Sequence, residues 1–139
     1  MKWQIFGNSD AGGLSWDENL IQLSGASVFQ THSWSKYKKN MGWDSLKLAA
    51  KDSNGSTKAM IQVLYQRRIG SLVLAWAPGG MAGDLELCDH DLRERICKTL
   101  GSHKTYLRVG FLHTSHGEKM RTLIAKGWSP SSHRMNAKI

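Results

Sequence analysis

The sequence predicts an α/β fold in which helices flank a mixed sheet with a central antiparallel meander. Two observations lead to this prediction. Three neighbouring segments between residues 45 and 77 alternate apolar and polar side chains and are separated by turn sequences, which is typical of antiparallel strands. Helical periodicity occurs on both sides of them, and one more strand-like segment lies between two C-terminal helices. The predicted order, β-α-α-β-β-β-α-β-α-(β), is compatible with few topologies.

The N-terminal part is predicted to contain a strand and a first helix. Trp3–Phe6 is a short apolar run that suits an opening strand. Ser15–Glu18 has the spacing of a capping box, in which the serine hydroxyl and the glutamate side chain satisfy free amides at a helix start. We expect a helix of about nine residues from Ser15, because Ser24–Gly25 then breaks the pattern.

A second helix follows. Thr31 or Ser33 is expected to cap its N-terminus, and Gly42 is suited to end it. Lysines occupy the remaining faces of this helix. Its predicted apolar face consists of Trp34, Tyr37 and Met41.

The meander is predicted from three runs at residues 45–51, 59–66 and 71–77. Asn54–Gly55 separates the first two, and Asn-Gly favours a hairpin because both residues tolerate a positive φ. Residues 67–70 form the second turn. These strands should pair in sequence order.

The C-terminal part is predicted to hold a glycine-rich loop at Pro78–Gly83 and a helix capped near Asp89. A strand is expected at Tyr106–Phe111, and a second capping box at Ser115–Glu118 begins a helix that stops at Gly127. Residues 128–139 are predicted to approach a final strand. The helix after Asp89 carries Leu92, Ile96 and Leu100 on one face and ends at Gly101.

The chain has 139 residues and a formal net charge of +8, from 19 Lys and Arg residues against 11 Asp and Glu residues. Because domains commonly contain about 100–150 residues, we expect residues 1–139 to form a single domain. The excess of basic residues favours an anionic partner, such as a phosphate group, a nucleic acid or an anionic membrane surface.

Other features of the sequence argue against several protein classes. No apolar run approaches the roughly 20 residues of a membrane span, and the N-terminal apolar patch is too short for a signal peptide. Cys88 and Cys97 do not form a C-x-x-C pattern. We therefore expect a cytoplasmic protein with reduced thiols and no cofactor.

Three segments resemble motifs of a known family. Phe29–Trp43 contains Gln-Thr, an aromatic residue, a lysine four positions on and a final Gly-Trp, and it looks like the Fem-type signature. Ala75–Met81 is similar to that family's strand-end motif, an aromatic residue followed by x-Pro-Arg-Gly-Pro. Gly127–Arg134 resembles its Gly-aromatic-x-Pro segment. The motifs occur in the family's order, and the element order is that of GNAT-type acyltransferases. The chain thus resembles the first GNAT-like half of a Fem-type aminoacyltransferase.

The resemblance implies an activity and a site. Fem-type enzymes take an amino acid from aminoacyl-tRNA and join it to an amine of a peptidoglycan precursor, without a metal. Lys38 matches the family's helix lysine, which is implicated in holding precursor phosphate, and an ammonium group is a good partner for phosphate. The other interpretation is that Lys36, Lys38 and Lys39 form a solvated helix face. The substrate-binding residues expected from the motifs are Lys36, Lys38, Trp34, Trp43, Trp76, Gly79 and Gly80.

This sequence departs from the family pattern in two ways. Family members have two tandem GNAT-like halves, whereas 139 residues have room for one. The chain is therefore expected to be a fragment, a remnant, or a half that forms a homodimer. Gly79 also stands where the family usually has an arginine, and Met81 where it has a proline. These departures leave a second hypothesis open, a non-catalytic binding or assembly module.

Several weaker hypotheses remain. A small coenzyme A-dependent N-acyltransferase would use the amides of the Pro78–Gly83 loop, but that loop lacks the GNAT phosphate-loop pattern, of which Arg67–Leu72 matches only the first half, and a plain connecting loop is the preferred interpretation. His113–His116 and Asp89–Asp91 lack the ligand number of a metal site. The six tryptophans permit stacking on RNA bases. No nucleophile motif occurs, so any catalysis is expected to rest on positioning.

Overall fold

The computed structural model describes residues 2–7, 10–101, 104–111 and 116–130 of the chain. The strands are β1 (Lys2–Ile5), β2 (Asp44–Lys51), β3 (Thr57–Arg67), β4 (Leu72–Ala77), β5 (Met81–Gly83) and β6 (Lys104–Val109). The helices are α1 (Asp10–Leu20), α2 (His32–Lys39), α3 (His90–Leu100) and α4 (His116–Ala125).

The strands form one mixed sheet in the order β1-β2-β3-β4-β6. Strands β1 to β4 pair antiparallel, so the predicted meander is confirmed. Strand β6 lies parallel to β4, from Leu72 opposite Lys104 to Ala77 opposite Val109. Strand β3 is long enough for two partners on the same side, because its C-terminal half pairs with β4 and its N-terminal half pairs with β5.

Helices cover both faces of the sheet. On one face, Leu92, Ile96 and Leu100 of α3 and Leu123 of α4 pack on inward residues of β2, β3 and β4. On the other face, α1 contributes a smaller cluster of buried residues. This second face also carries α2. None of the described helices has the length and hydrophobicity needed to cross a membrane.

Helix α1 differs from its predicted position. It starts at Asp10 rather than Ser15, and it ends at Leu20. The capping box is wrong because Ser15 lies inside the helix, where its carbonyl accepts a hydrogen bond from the Asn19 side chain at 2.8 Å. Burial sets the helix position: Trp16 and Leu20, one turn apart, are 0% and 1% exposed.

The apolar face predicted for α2 is also wrong. Tyr37 and Met41 are 54% and 56% exposed, and the buried residue of the helix is Ser35. The predicted ends of α2 are confirmed. The Thr31 side chain accepts from the Trp34 amide, and Gly42 has a φ of +91° just after the last turn.

The glycine-rich segment at Pro78–Gly83 is more than a loop, since its last residues form β5. Gly83 makes this pairing possible. Its φ is +96°, and a Cβ there would collide with the Lys58 carbonyl oxygen of β3.

The remaining boundaries follow the sequence closely. Helix α3 is capped by the Asp89 side chain and ends at Gly101, as predicted. Strand β6 begins before Tyr106 and ends at Val109, because the next residues leave the sheet. Gly127 follows α4 with a φ of +93°. The capping serine predicted at position 115 and the strand predicted within 131–139 lie outside the described residues.

Candidate functional site

The most distinctive side-chain arrangement surrounds the ammonium group of Lys38. Lys38 Nζ lies 5.3 Å from the ring centroid of Trp34, 6.0 Å from that of Tyr37 and 5.7 Å from that of Trp76. Trp43 packs edge-on against Trp76, with ring centroids 6.1 Å apart. We call these five residues, together with Phe29, the Lys38 cluster. Phe29 contacts Trp34 at 4.9 Å between centroids.

Local structure explains how the cluster forms. Trp34, Tyr37 and Lys38 share one side of α2 because they are three and four residues apart. In β4, the alternation of side chains turns Val73, Ala75 and Ala77 to the α3 face and leaves Trp76 on the α2 face.

Gln30 connects the first two sequence motifs. Its side chain is fully buried, accepts a 2.6 Å hydrogen bond from the Ser27 amide and donates to the Gly79 carbonyl oxygen at 3.1 Å. Its own carbonyl accepts from Trp16 Nε1 at 2.8 Å. The segment before α2 is thereby fixed to the turn that follows β4. Sequence reasoning quoted Gln30 within a motif but assigned it no role.

Gly79 and Gly80 are buried in that turn, with φ values of +76° and +77°. A Cβ on Gly79 would collide with Ser27 Oγ, and one on Gly80 would come within 2.5 Å of the Phe111 ring. A side chain at the position where the family usually has an arginine would therefore displace the Ser27 hydroxyl and strain the backbone.

The predicted residues divide between two places. Trp34, Lys38, Trp43 and Trp76 come together, with Gly79 and Gly80 directly after the strand that bears Trp76. Trp34 and Trp76 are half-buried in this cluster rather than in the core. Lys36 instead lines a cleft with Ser35 and Lys47. Phe29 and Tyr37 were missed as site residues; the spacing of Tyr37, three positions after Trp34, is a usable signal, whereas Phe29 lies before α2 and has none.

The third motif lies elsewhere. Trp128 Nε1 donates to the Cys88 carbonyl oxygen at 2.7 Å, and the Arg93 guanidinium lies 5.1 Å from the Trp128 ring centroid. The described part of the motif therefore packs against the start of α3, and the part beyond Pro130 lies outside the described residues.

The Lys38 cluster presents a lysine that has no carboxylate partner among the described residues. Aromatic faces fix a cation without neutralising it. The indole Nε1 atoms of Trp34 and Trp76 are buried and have no hydrogen-bond partner among the described residues. A buried donor without a partner is unfavourable, so these two groups are a cost of forming the cluster.

Coenzyme A does not suit the other candidate anion site. A pyrophosphate group would need free amides and positive potential where α3 begins. The Leu92 amide there already donates to the Asp89 carboxylate at 3.1 Å, and Asp91 and Glu86 add negative charge. In the preceding loop, the Gly80 amide donates to the Ala77 carbonyl oxygen. Nor do the described residues contain three or more His, Cys, Asp or Glu side chains grouped to hold a metal ion.

Comparison with known proteins identifies the fold. No protein-family profile and no curated protein matches the sequence. The structure of FemX is similar with a TM-score of 0.68 and 16% identity, over 90% of this chain and 31% of FemX. The chain has a GNAT-type fold. An acetyltransferase from Trypanosoma brucei, which matches over 99% of both chains with 13% identity and a TM-score of 0.52, supports this identification.

These comparisons confirm the predicted fold class and the likeness to FemX at the level of the fold. The protein TTHA1254 from Thermus thermophilus is also similar, with a TM-score of 0.57 and 14% identity over 100% of this chain and 97% of its own. The chain spans 31% of the length of FemX.

Proposed function

We propose that this GNAT-type domain is one half of a Fem-like aminoacyltransferase, which moves an amino acid from aminoacyl-tRNA to an amine of a phosphate-bearing peptidoglycan precursor. The observation that carries the proposal is the Lys38 cluster. Two motifs that are distant in the sequence, represented by Trp43 and Trp76, meet there around a lysine with no counter-ion in the described chain.

Lys38 is suited to bind the precursor phosphate. Its ammonium group lies beside the rings of Trp34, Tyr37 and Trp76, and a charge-assisted hydrogen bond to phosphate is about twice as strong as a neutral one. The exposed Tyr37 ring leaves the cluster open to solvent on one side. An anion can approach the ammonium group from that side.

The chemistry that such a site must support is transfer of an acyl group. The acceptor amine attacks the ester carbonyl carbon of aminoacyl-tRNA, a C–N bond forms and the ester C–O bond breaks. The proton of the amine passes to the ribose oxygen that leaves. The contribution proposed for this chain is orientation, because a precursor held at Lys38 has its amine delivered in a fixed position.

A complete active site requires a second half. Substrates of the resembling enzymes bind in a cleft beside two GNAT-like halves, and this chain corresponds to 31% of FemX. The second half is provided either by another domain or by a second copy of the chain. A homodimer is the form in which the chain alone would be active.

Replacing Lys38 tests the proposal. Binding of a soluble, phosphate-bearing precursor at low salt should weaken at least tenfold in Lys38→Met, since one charge-assisted contact contributes about 1.5–3 kcal/mol. Lys98→Met is the matched control, because Lys98 is an exposed helix lysine on α3 that pairs with Glu94. Transfer from charged tRNA to the precursor is measured in parallel, with the protein at concentrations above and below its dimerisation range.

The results distinguish an aminoacyltransferase from a non-catalytic binding module. Precursor binding that depends on Lys38, together with transfer, supports the aminoacyltransferase. Binding without transfer favours a binding module, which the buried Gly79 in place of the family's arginine also favours. If the precursor does not bind at low salt, or binds equally well to Lys38→Met, the proposal is wrong.

A further inference from the structure

A second polar site lies in the cleft between α2 and β2, away from the Lys38 cluster. Its volume is about 360 Å³. Ser35 and Lys36 reach it from α2, and Lys47 reaches it from β2. The full lining consists of His32, Ser35, Lys36, Lys39, Asp44, Ser45, Lys47 and Tyr65.

Lys47 is the unusual residue in this cleft. Its side chain is only 1% exposed, although lysine is seldom fully buried without a paired charge. Its ammonium group donates to Ser35 Oγ at 3.2 Å. In the described chain no carboxylate oxygen lies within ion-pair distance of it, and the carboxylate that acts on it electrostatically is that of Asp17.

The charges around the cleft are predominantly positive. Lys36 and Lys39 stand at its exposed rim, and Lys47 lies within it. Against these three lysines the lining contains one acidic residue, Asp44. His32 and Tyr65 are the other titratable groups in the lining, and Asp17 of α1 is the remaining charge that acts on Lys47.

The cleft also contains hydrogen-bond donors that no described residue uses. An ammonium group has three N–H donors, and Ser35 accepts one of those of Lys47. The Ser35 hydroxyl in turn donates to the His32 carbonyl oxygen at 2.6 Å. Two donors of Lys47 therefore have no acceptor among the described residues, and Ser45, which lies on the same face of β2 as Lys47, belongs to the same lining.

We propose that the cleft between α2 and β2 is a phosphate-binding site, in which Lys47 contacts the anion and Lys39 supplements its charge at the rim. A phosphate group offers several acceptor oxygens, which suits unused N–H and O–H donors within one small volume. The group comes either from a free phosphate compound or from the backbone of RNA. This site is separate from the Lys38 cluster and does not depend on the function proposed above.

Protonation of Lys47 should make anion binding in the cleft depend on pH. Burial lowers the pKa of Lys47 to about 8, and Asp17 opposes this effect. A bound anion stabilises the protonated form, so binding is strongest below pH 8 and weakens as the lysine loses its proton. Between pH 7 and pH 9 the affinity should fall by up to about tenfold.

Titration calorimetry with inorganic pyrophosphate and with a short RNA duplex tests the proposal. At low salt and pH 7 we expect at least one of these probes to bind, and Lys47→Met to weaken it at least about tenfold. Asp44→Asn should strengthen it, because a negative charge beside the cleft is removed. Lys98→Met is the matched control, and it should retain binding of that probe because Lys98 lies on α3 and pairs with Glu94.

The two probes distinguish the source of the phosphate. Pyrophosphate binding that is lost in Lys47→Met indicates a free phosphate compound, and RNA binding lost in the same variant indicates a nucleic-acid backbone. If neither probe binds, or if Lys47→Met and Asp44→Asn leave the affinity unchanged, the site is not a phosphate site. The aminoacyltransferase proposal is tested with Lys38→Met and the precursor, so failure of one proposal is distinguishable from failure of the other.

Discussion

At the scale of single residues, neighbouring lysines on one short helix have different surroundings. Lys36 and Lys38 are two positions apart, and two positions correspond to about 200° of helical rotation. Lys38 consequently faces the rings of Trp34 and Trp76, while Lys36 lines the cleft with Lys47. Each lysine therefore has to be tested alone, because a substitution of both would affect two sites.

Lys47 leads to a prediction about stability and pH. Its pKa is about 8 in the folded chain and 10.5 without burial, so between these values the unfolded chain binds more protons. Stability from this group therefore rises as pH increases from 8 towards 10.5. In denaturant melts, Lys47→Met should be more stable than the unmodified chain at pH 7 by about 1–2 kcal/mol, and this advantage should shrink at pH 10.

The comparison between the two chains isolates Lys47, since every other titrating group is common to both. Lys98→Met is the control, because it should show neither the gain in stability at pH 7 nor its dependence on pH. An advantage of Lys47→Met that stays constant from pH 7 to pH 10 would contradict a buried ammonium group with a lowered pKa.

The site could be predicted only in part at this scale. Lys38, Trp34, Trp43 and Trp76 were selected because they belong to motifs, and the structure brings them together. Lys47 was not selected. It alternates with apolar residues in β2 and has the pattern of an ordinary exposed strand position, and its burial results from α2 lying over it.

At the scale of elements, close approach of strands determines where glycine is required. Gly83 of β5 and Gly55 of the β2–β3 turn both have a positive φ, at +96° and +81°. A Cβ on Gly83 would collide with backbone atoms of Lys58 and Ala59, whereas one on Gly55 would have no neighbour within 4 Å. A substitution at Gly55 therefore tests the cost of a positive φ alone, whereas a substitution at Gly83 adds a steric clash with the neighbouring strand.

Alanine substitutions at these glycines should therefore differ. Gly55→Ala is expected to lower the free energy of unfolding by about 1 kcal/mol, because only the positive φ is penalised. Gly83→Ala should cost at least about 2 kcal/mol more, since backbone cannot move aside and the pairing of β5 with β3 is disturbed. Chemical denaturation of both variants measures the difference, and equal losses would mean that β5 is not packed against β3.

The elements that the sequence predicted well are those with strong local signals. Asp89 and Gly101 mark the two ends of α3. Apolar–polar alternation and the Asn54–Gly55 turn predicted β2 and β3. The start of α1 and the existence of β5 were missed, because tertiary contacts decide both. Burial of Trp16 sets the position of α1, and pairing with β3 turns a glycine-rich segment into a strand.

At the scale of the whole molecule, two distant parts of the chain are fixed to one short segment before α3. Trp3 Nε1 of β1 donates to the Leu87 carbonyl oxygen at 2.9 Å. Trp128, which follows α4, donates to the neighbouring Cys88 carbonyl oxygen at 2.7 Å. The Trp3 carbonyl also accepts from Arg95 of α3 at 3.1 Å. The first and last parts of the described chain thus form hydrogen bonds with the same segment, at Leu87 and Cys88. This shared segment links the stability of β1 to that of α4.

Because both ends of the described chain bind the segment at residues 87 and 88, we expect the domain to unfold as one cooperative unit. Far-ultraviolet circular dichroism and tryptophan fluorescence should give the same midpoint in urea, because neither β1 nor α4 can separate while residues 87 and 88 hold both indoles. Trp3→Phe and Trp128→Phe each remove one hydrogen bond to a carbonyl, so each should lower the free energy of unfolding by about 1–2 kcal/mol. Because the two carbonyls are adjacent, the double variant should deviate from the sum of the single losses by about 0.5 kcal/mol or more. Separate midpoints for the two probes, or strictly additive losses, would show that the ends of the chain are stabilised independently.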